Sequence, residues 1–261
     1  RKYSLRSQIV SGSVSVLPAE QSPPYLFPIF FSGQRQNLDI RRLWIMMIVS
    51  IESAFGKQPN HNTSIKSEEW NMTEKEKARA GMLYNNNFDP QLIQERTACQ
   101  KKCQAYNALP VDAIEQRKAA LRDIIGRTGE NFCIEQPFHC DYGYNITLGE
   151  DFYSNYNLVI LDDAPITIGS HVFIAPDCGI YAAGHPINAA QRNEGLEYAK
   201  PVTIGDNVWI GGGVRILPGV SIGSNTVIGA GSVVTKDIPD GVLAAGNPCR
   251  VIRALTPEEC S

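Results

Sequence analysis

The chain has 261 residues, a 43% hydrophobic fraction and a formal net charge of -3, the balance of an ordinary soluble globular protein with one large domain or two modest ones. Charge this close to neutral gives no reason to expect nucleic acid as a partner. Seven cysteines (99, 103, 133, 140, 178, 249 and 260), scattered and without a CxxC pair, fit a reducing compartment better than a disulfide framework, so a cytoplasmic location is expected.

The first segment starts with arginine, as a fragment or processed product would: "RKYSLRSQIVSGSVSVLPAEQSPPYLFPIFF". Its apolar runs are short. "YLFPIFF" contains a proline and "LWIMMIVSI" has nine residues, against about twenty for a membrane span. A basic start followed by Ser, Gly and Pro fits a signal peptide poorly. Residues 1–71 therefore read as a poorly ordered extension, with no membrane partner.

Residues 72–130 read as helices punctuated by turns. Thr73 followed by Glu76 is a capping box, and "YNNNFDP" is a polar break containing Asp-Pro. Leu92, Ile93, Cys99, Cys103 and Tyr106 recur at helical spacings, and a further helix over 112–125 has Gly126 as its expected C-cap. Cys99 and Cys103 share one helix face, but no second Cys/His pair accompanies them, so they read as ordinary thiols.

Residues 131–255 carry a repeat. Val202, Val208, Val214, Val220, Thr226, Ser232 and Ile238 sit six apart, and Ile204, Ile210, Ile216, Ile222, Ile228 and Val234 follow two positions later. The same beat appears in Ile166, Val172 and Cys178, and more weakly at Ile146 and Phe152. Helices space apolar residues three and four apart, so the pattern predicts stacked coils of short parallel strands with one continuous inward column. Glycines 205, 211, 223 and 229 follow the inward residue, where corners with positive φ are expected. A short tail, 256–261, closes the chain. The beat stops between 181 and 200, in "YAAGHPINAAQRNEGLEYAK", an expected projecting loop that holds His185.

The pieces "EKEKARAGMLYNNNFDP", "PFHCDYGYNITLGEDFYSNYNLVILDDAPITIG", "GHPINAAQRNEGLEYAKPVTIGDNVWIG" and "GAGSVVTKDIPDGVLAAGNPCRVIR" together resemble the hexapeptide-repeat acyltransferases, in particular the maltose and galactoside O-acetyltransferase family. The resemblance implies a mainly β fold, a left-handed parallel β-helix behind a small α-helical N-terminal region, assembled as a homotrimer. It also implies acetyl transfer from acetyl-CoA to a sugar hydroxyl, with no metal.

In that reaction an alcohol needs a base, and neutral imidazole titrates near working pH, which makes His185 the candidate general base. Glu197, in the same loop, either orients the imidazole through its other nitrogen or is a solvated carboxylate. An oxyanion donor is expected among the N–H groups of residues 211–213. Carried over from the family, Asp141, Asn155 and Asp163 are sugar contacts. Asp141 stands where some relatives have serine, and Asn86 aligns where galactoside-type relatives have aspartate. Tyr153 and Trp209 offer flat apolar surface for sugar or pantetheine, or plain core packing. Gly212 and Ala230 match positions along the pantetheine arm, Thr235 the adenine end, and Lys236, Arg250 and Arg253 suit the phosphates.

Three other readings compete. A xenobiotic or serine-type acceptor would use the same machinery. A metal-dependent hydratase on the same fold needs several histidines at one ion, and only His139, His171 and His185 lie in the repeat region. A non-enzymatic scaffold would not need the loop histidine, the Asn/Asp cluster or the basic tail.

Overall fold

The computed structural model describes residues 72–260. The reading of residues 1–71 as an extension lies outside the described residues.

Helix α1 (Glu74–Arg79) starts at the expected capping box: the Thr73 hydroxyl accepts from the Glu76 N–H, and the Glu76 carboxylate accepts from the Thr73 N–H at 2.7 Å. Within the polar break, Tyr84–Asn85 forms a short strand, β1. Asp89 then caps α2 (Pro90–Asn107) by accepting from the Leu92 N–H, with Pro90 in the first turn, where a missing N–H has no helical partner to lose. Helix α2 buries Leu92, Cys99, Cys103 and Tyr106, whereas Ile93, expected on that face, stays 38% exposed. Helix α3 (Ile114–Ile124) begins after Asp112 and ends at Ile125 in extended conformation, before the expected Gly126 cap. Gly126 serves a different purpose. It donates to the Gly143 carbonyl, and a Cβ there would collide with the Tyr144 carbonyl of the first coil.

The coils follow as predicted, with three flat faces. One face stacks β4 (Ile146–Leu148), β7 (Ile166–Ile168), β12 (Val202–Ile204) and β15 (Ser221–Ile222). A second stacks β2 (Phe132–Ile134), β5 (Phe152–Ser154), β8 (Phe173–Ile174), β13 (Trp209–Ile210), β16 (Val227–Ile228) and β18 (Val242–Ala245). The third stacks β3 (Phe138–Cys140), β6 (Leu158–Leu161), β9 (Gly179–Tyr181), β14 (Arg215–Ile216) and β17 (Val233–Val234). Neighbours within a face pair in parallel, and Ile160, Ile180, Val202, Ile210 and their equivalents form the buried column. Thr226 and Ser232 belong to it too, because their hydroxyls are satisfied: Thr226 Oγ1 donates to the Pro239 carbonyl and Ser232 Oγ to that of Gly229.

Coil length changes along the axis. Tyr153 pairs with Phe173, twenty residues on; Trp209 pairs with Val227, eighteen on; Val227 pairs with Leu243, sixteen on. The early surplus falls at a single corner, after β3 (141–145) and after β6 (162–165). The long interruption follows β9, at the same corner of the next coil.

The expected positive φ falls two residues later than the glycines at 205, 211, 223 and 229, on Asn207, Gly213, Asn225 and Gly231. Asp151 and His171 hold the same corner earlier in the chain. At Gly205 the reason for glycine is close stacking: a Cβ there would lie 2.7 Å from the Ser224 backbone nitrogen.

The interruption is itself ordered. It contains β10 (Ala183–Gly184), helix α4 (Ala189–Asn193) and β11 (Leu196–Ala199), and β11 pairs antiparallel with both β10 and β1. The loop is therefore tied to the N-terminal region and does not stand free. At the far end the coils stop at β18, short of the expected 255. Strand β19 (Arg250–Ala254) doubles back antiparallel on β18, and α5 (Pro257–Cys260) follows. Among the described residues, no helix is long and apolar enough to cross a membrane.

Candidate active site

The corner that carries the surplus residues gathers a cleft of about 380 Å³, lined by Asn86, Asn87, Arg96, Gln100, Asp141, Leu161, Asp163, Ala183, Gly184, His185 and Glu197. Five residues singled out from the sequence meet here, from four separate segments. Asp141 and Asp163 come from the surplus corners, His185 and Glu197 from the β10–β11 hairpin, and Asn86 from the end of β1. The pairing of Tyr84 with Glu197 and of Asn85 with Leu196 brings the N-terminal polar break onto the loop.

The His185 side chain is about half exposed, at 49%, with Nδ1 3.2 Å from the Leu196 carbonyl. A carbonyl can only accept, so this contact favours the Nδ1–H tautomer and leaves Nε2 with its lone pair. Glu197 Oε1 lies 3.8 Å from Nε2, beyond hydrogen-bond reach. The orienting contact at the other nitrogen thus comes from Leu196 and not from Glu197. Nor is Glu197 a solvated carboxylate: it is 8% exposed and accepts from Asn86 Nδ2 at 3.1 Å and Asn87 Nδ2 at 3.2 Å.

Asn86 links the acids. Its Nδ2 also donates to Asp163 Oδ1 at 2.8 Å, and its Oδ1 accepts from the Tyr142 hydroxyl at 2.5 Å. Tyr84 donates a second bond to Asp163 Oδ1 at 2.9 Å. Asp163 Oδ2, by contrast, is buried without a partner. Such an atom is costly in a finished core; a proton shared with the Asp141 carboxyl, which hydrogen-bonds Asp163, or a donor from a bound acceptor would satisfy it. Burial, and then the Asp141 carboxylate, push the Asp163 carboxyl well above the usual range, while the Tyr84 hydroxyl and the Arg96 guanidinium work against them. Burial, and then Asp162, push Asp141 up in the same way. Asp162 accepts from the N–H groups of Asp141 and Tyr142, which fixes the corner, and burial lifts it to about 6.

A larger cavity of about 440 Å³ reaches Asp163 from beside α1, but neither His185 nor Glu197 lines it. Asn155 and Tyr153 do not line the cleft. The Asn155 side chain accepts from the Tyr156 N–H, and Tyr153 stacks toward Phe173 with ring centroids 6.4 Å apart. Arg96, Gln100 and Asn87 were not singled out from the sequence. Arg96 and Gln100 stand four apart on α2, a one-face signal that could have been read.

The residues matched to coenzyme A lie on other surfaces. Trp209 is 57% exposed in an outward row that continues through Val227 and Leu243 to Arg253. Arg253 pairs with Glu259 on the surface through two bonds of 2.6 and 2.7 Å. Arg250 donates to the Cys249 carbonyl, and Thr235 and Lys236 are exposed beyond β17. Gly212 and Ala230 occupy neighbouring coils, where Gly211 packs against the Ala230 backbone. Gly211 and Gly213 donate their N–H groups to the carbonyls of Ile228 and Pro176.

His139, His171 and His185 do not converge. Among the described residues, the group of three or more His, Cys, Asp or Glu able to hold an ion is Cys99, Cys103 and Cys140. His171 faces Asp151 at 3.4 Å.

The chain matches the maltose acetyltransferase hexapeptide capping motif over residues 77–129 and the bacterial transferase hexapeptide, six repeats, over residues 201–236. It is 43% identical over 189 residues to the galactoside O-acetyltransferase of Escherichia coli K12, covering 72% of this chain and 93% of that one. Its structure is similar to a maltose O-acetyltransferase from Clostridium difficile 630, with a TM-score of 0.70 and 52% identity, covering 71% and 98% of the two chains. A hexapeptide-repeat acetyltransferase from Vibrio cholerae O1 biovar eltor, solved with acetyl coenzyme A, gives a TM-score of 0.65 at 37% identity, covering 71% of this chain and all of that one.

Proposed function

The chain belongs to the maltose and galactoside O-acetyltransferase family of hexapeptide-repeat acyltransferases, and from that premise we propose that it transfers acetyl from acetyl-CoA to a sugar hydroxyl in the cleft of His185. The observation that carries this reading is the pairing, in one cleft, of an imidazole with a free Nε2 and a buried carboxylate oxygen that has no partner of its own.

A sugar offers several hydroxyls. One donates to Asp163 Oδ2, satisfying that oxygen, and another presents its proton to His185 Nε2. As the proton moves to Nε2, the alcohol oxygen attacks the thioester carbonyl, and a tetrahedral oxyanion forms. With Gly211 and Gly213 committed, Gly212 is the member of that run we assign as oxyanion donor. Collapse breaks the C–S bond, and the imidazolium returns its proton to the CoA thiolate. Glu197, 3.8 Å from Nε2, stabilises the imidazolium while it exists. Both substrates bind together, so no acyl-enzyme is needed.

Trp209, Gly212, Ala230, Thr235, Lys236 and Arg250 are assigned to coenzyme A. They lie away from the His185 cleft within one chain, which favours a homotrimer whose sites form between subunits. The catalytic unit in this reading is residues 72–255, and the enzyme works in the cytoplasm. The deciding experiment follows CoA thiol release from acetyl-CoA with maltose, glucose, galactosides, serine and hydroxylated drugs as acceptors. Sugars should exceed the others in kcat/KM; a leading drug or serine would replace the acceptor assignment. Sedimentation velocity on the same samples should give a trimer.

A further inference from the structure

Three thiols from two elements meet in the core, and the catalytic reading uses none of them. Cys99 and Cys103 stand four apart on α2, so both sulfurs leave the helix on one face. Cys140 ends β3 in the first coil and points inward beneath that face. Cys99 Sγ lies 3.5 Å from Cys140 Sγ and Cys103 Sγ lies 3.7 Å from it, with all three sulfurs within 4.8 Å of one another. Each residue is at most 5% exposed, and none forms a disulfide.

We propose that Cys99, Cys103 and Cys140 form a binding site for one soft closed-shell metal ion, Cu(I) or Zn(II), which clamps α2 onto the first coil.

The spacing carries this assignment. Thiolates at about 2.3 Å from a common ion stand roughly 3.7–4.0 Å from each other. Two of the three edges are already within a few tenths of an ångström of that range, so loading needs little movement. Soft thiolate sets select these ions over harder ones. The protonation pattern agrees: Cys103 loses its proton most readily because the thiols of Cys140 and Cys99 both donate to it. The Cys140 and Cys99 thiols are pushed up, first by the hydrogen bonds they donate to Cys103, then by burial, and then by repulsion from a neighbouring thiolate. An ion relieves that repulsion. Loading the singly ionised cluster releases two protons and gives three metal–sulfur bonds. Zn(II) leaves a net charge of minus one on the three thiolates and Cu(I) minus two.

There is also an entrance. A cleft of about 320 Å³ reaches Cys99 between Lys75, Glu95, Lys102, Ile124 and Tyr144, its two lysines held in ion pairs with Glu95 and Asp123. Through this cleft Zn(II) acquires water as a fourth ligand, whereas Cu(I) is complete with three. Helix α2 also carries Arg96 and Gln100 into the His185 cleft, so the ion would fasten the helix that lines the acceptor site.

The test uses the full 261-residue chain, reduced with a phosphine, stripped of metal, and carrying Cys260→Ser to remove the exposed thiol. Cu(I) is presented in competition with bathocuproine disulfonate, Zn²⁺ with a chromophoric chelator, and Cd²⁺ serves as an ultraviolet charge-transfer probe. We expect one equivalent per chain, thiolate-to-metal absorption and a higher melting temperature. X-ray absorption should find three sulfurs alone for Cu(I), or three sulfurs and one oxygen for Zn(II); the ion that wins the competition identifies the occupant. Cys140→Ser should weaken binding roughly tenfold or more. Circular dichroism of the metal-free variant checks its fold, and Cys99→Ala replaces it if Cys140→Ser does not fold. The assignment is overturned if folded, reduced protein binds no ion against the chelators, or if binding is unchanged in both variants. A Cys99–Cys140 disulfide on mild oxidation, with no ion bound beforehand, would make the cluster a redox pair instead. None of these readouts involves acetyl transfer, so they stand or fall apart from the catalytic reading.

Discussion

His185 points Nδ1 at the Leu196 carbonyl from 3.2 Å and holds Nε2 3.8 Å from the buried carboxylate of Glu197. The two contacts divide the labour: the carbonyl selects the tautomer, and the carboxylate waits for the charge that appears when Nε2 takes a proton.

His185→Ala should therefore reduce kcat by roughly 10²–10⁴, the usual worth of a positioned base, with acetyl-CoA affinity nearly unchanged. The rising acid limb of the wild-type pH–rate profile should disappear. Single-turnover acetyl transfer checks both, and a retained limb would move the base elsewhere.

Glu197→Gln tests the second half of that relationship. The amide keeps the shape and part of the contact with Asn86 and Asn87 but cannot stabilise an imidazolium. A fall in kcat with little change in acceptor KM is expected, measured by initial rates. An effect on KM alone would make Glu197 a binding residue.

Asp163→Asn should raise the acceptor KM more than that of acetyl-CoA, because Asp163 lines the cleft and its Oδ2 has no hydrogen-bond donor within the chain. A loss of roughly 1–3 kcal/mol in acceptor affinity is the ordinary value for such a bond. Equal effects on both substrates would contradict the assignment.

The buried acids also set a stability trend. The Asp162 carboxyl is lifted to about 6, and those of Asp163 and Asp141 are raised as well. The folded chain then holds protons that the unfolded chain, titrating near about 4, has released. Their contribution is complete at low pH and is lost as pH rises through the folded values. Between about 4 and about 7, the melting temperature of wild type minus that of Asp163→Asn should fall with rising pH. An upward trend in that difference would refute the sign.

Gly205→Ala should destabilise the coils by roughly 1–3 kcal/mol, the range for overpacking, because its new methyl meets the Ser224 backbone. Chemical denaturation measures it; a neutral result would restore a purely conformational role for this glycine.

The coils were legible because their signal is one-dimensional. Val202, Ile204 and their equivalents repeat at a fixed interval, and each inward residue stacks on its counterpart one coil away. The weakening of the beat before Ile166 was legible too, but not its meaning: two surplus residues per coil create the corner that carries Asp141 and Asp163. The contact between Asn86 and Glu197 depends on β1 pairing with β11 across more than one hundred residues, which no local pattern encodes. The corners failed for a related reason. Asn207 and Asn225 tolerate positive φ through their short polar side chains, so asparagine took the place expected of glycine. Cys140 was invisible as a partner of Cys99 because its approach depends on how α2 lies across the first coil.

The reversal at β19 has a consequence for how the molecule avoids its own kind. A stack of parallel coils ends in a row of unsatisfied amides and carbonyls, the template on which another stack would grow. Strand β19 closes that row by pairing in the opposite direction and with a shifted register between Leu243 and Ala244, so a further parallel coil finds no matching ladder. At the other end α2 and α3 are packed over the first coil through Tyr106, whose hydroxyl donates to the Ile134 carbonyl, and Arg117, which donates to the same oxygen at 3.2 Å. The two terminal devices thus act as stoppers against fibrous polymerisation: a chain cut before Arg250 would open one end alone and pair there with a second copy, while α2 and α3 still block growth at the other.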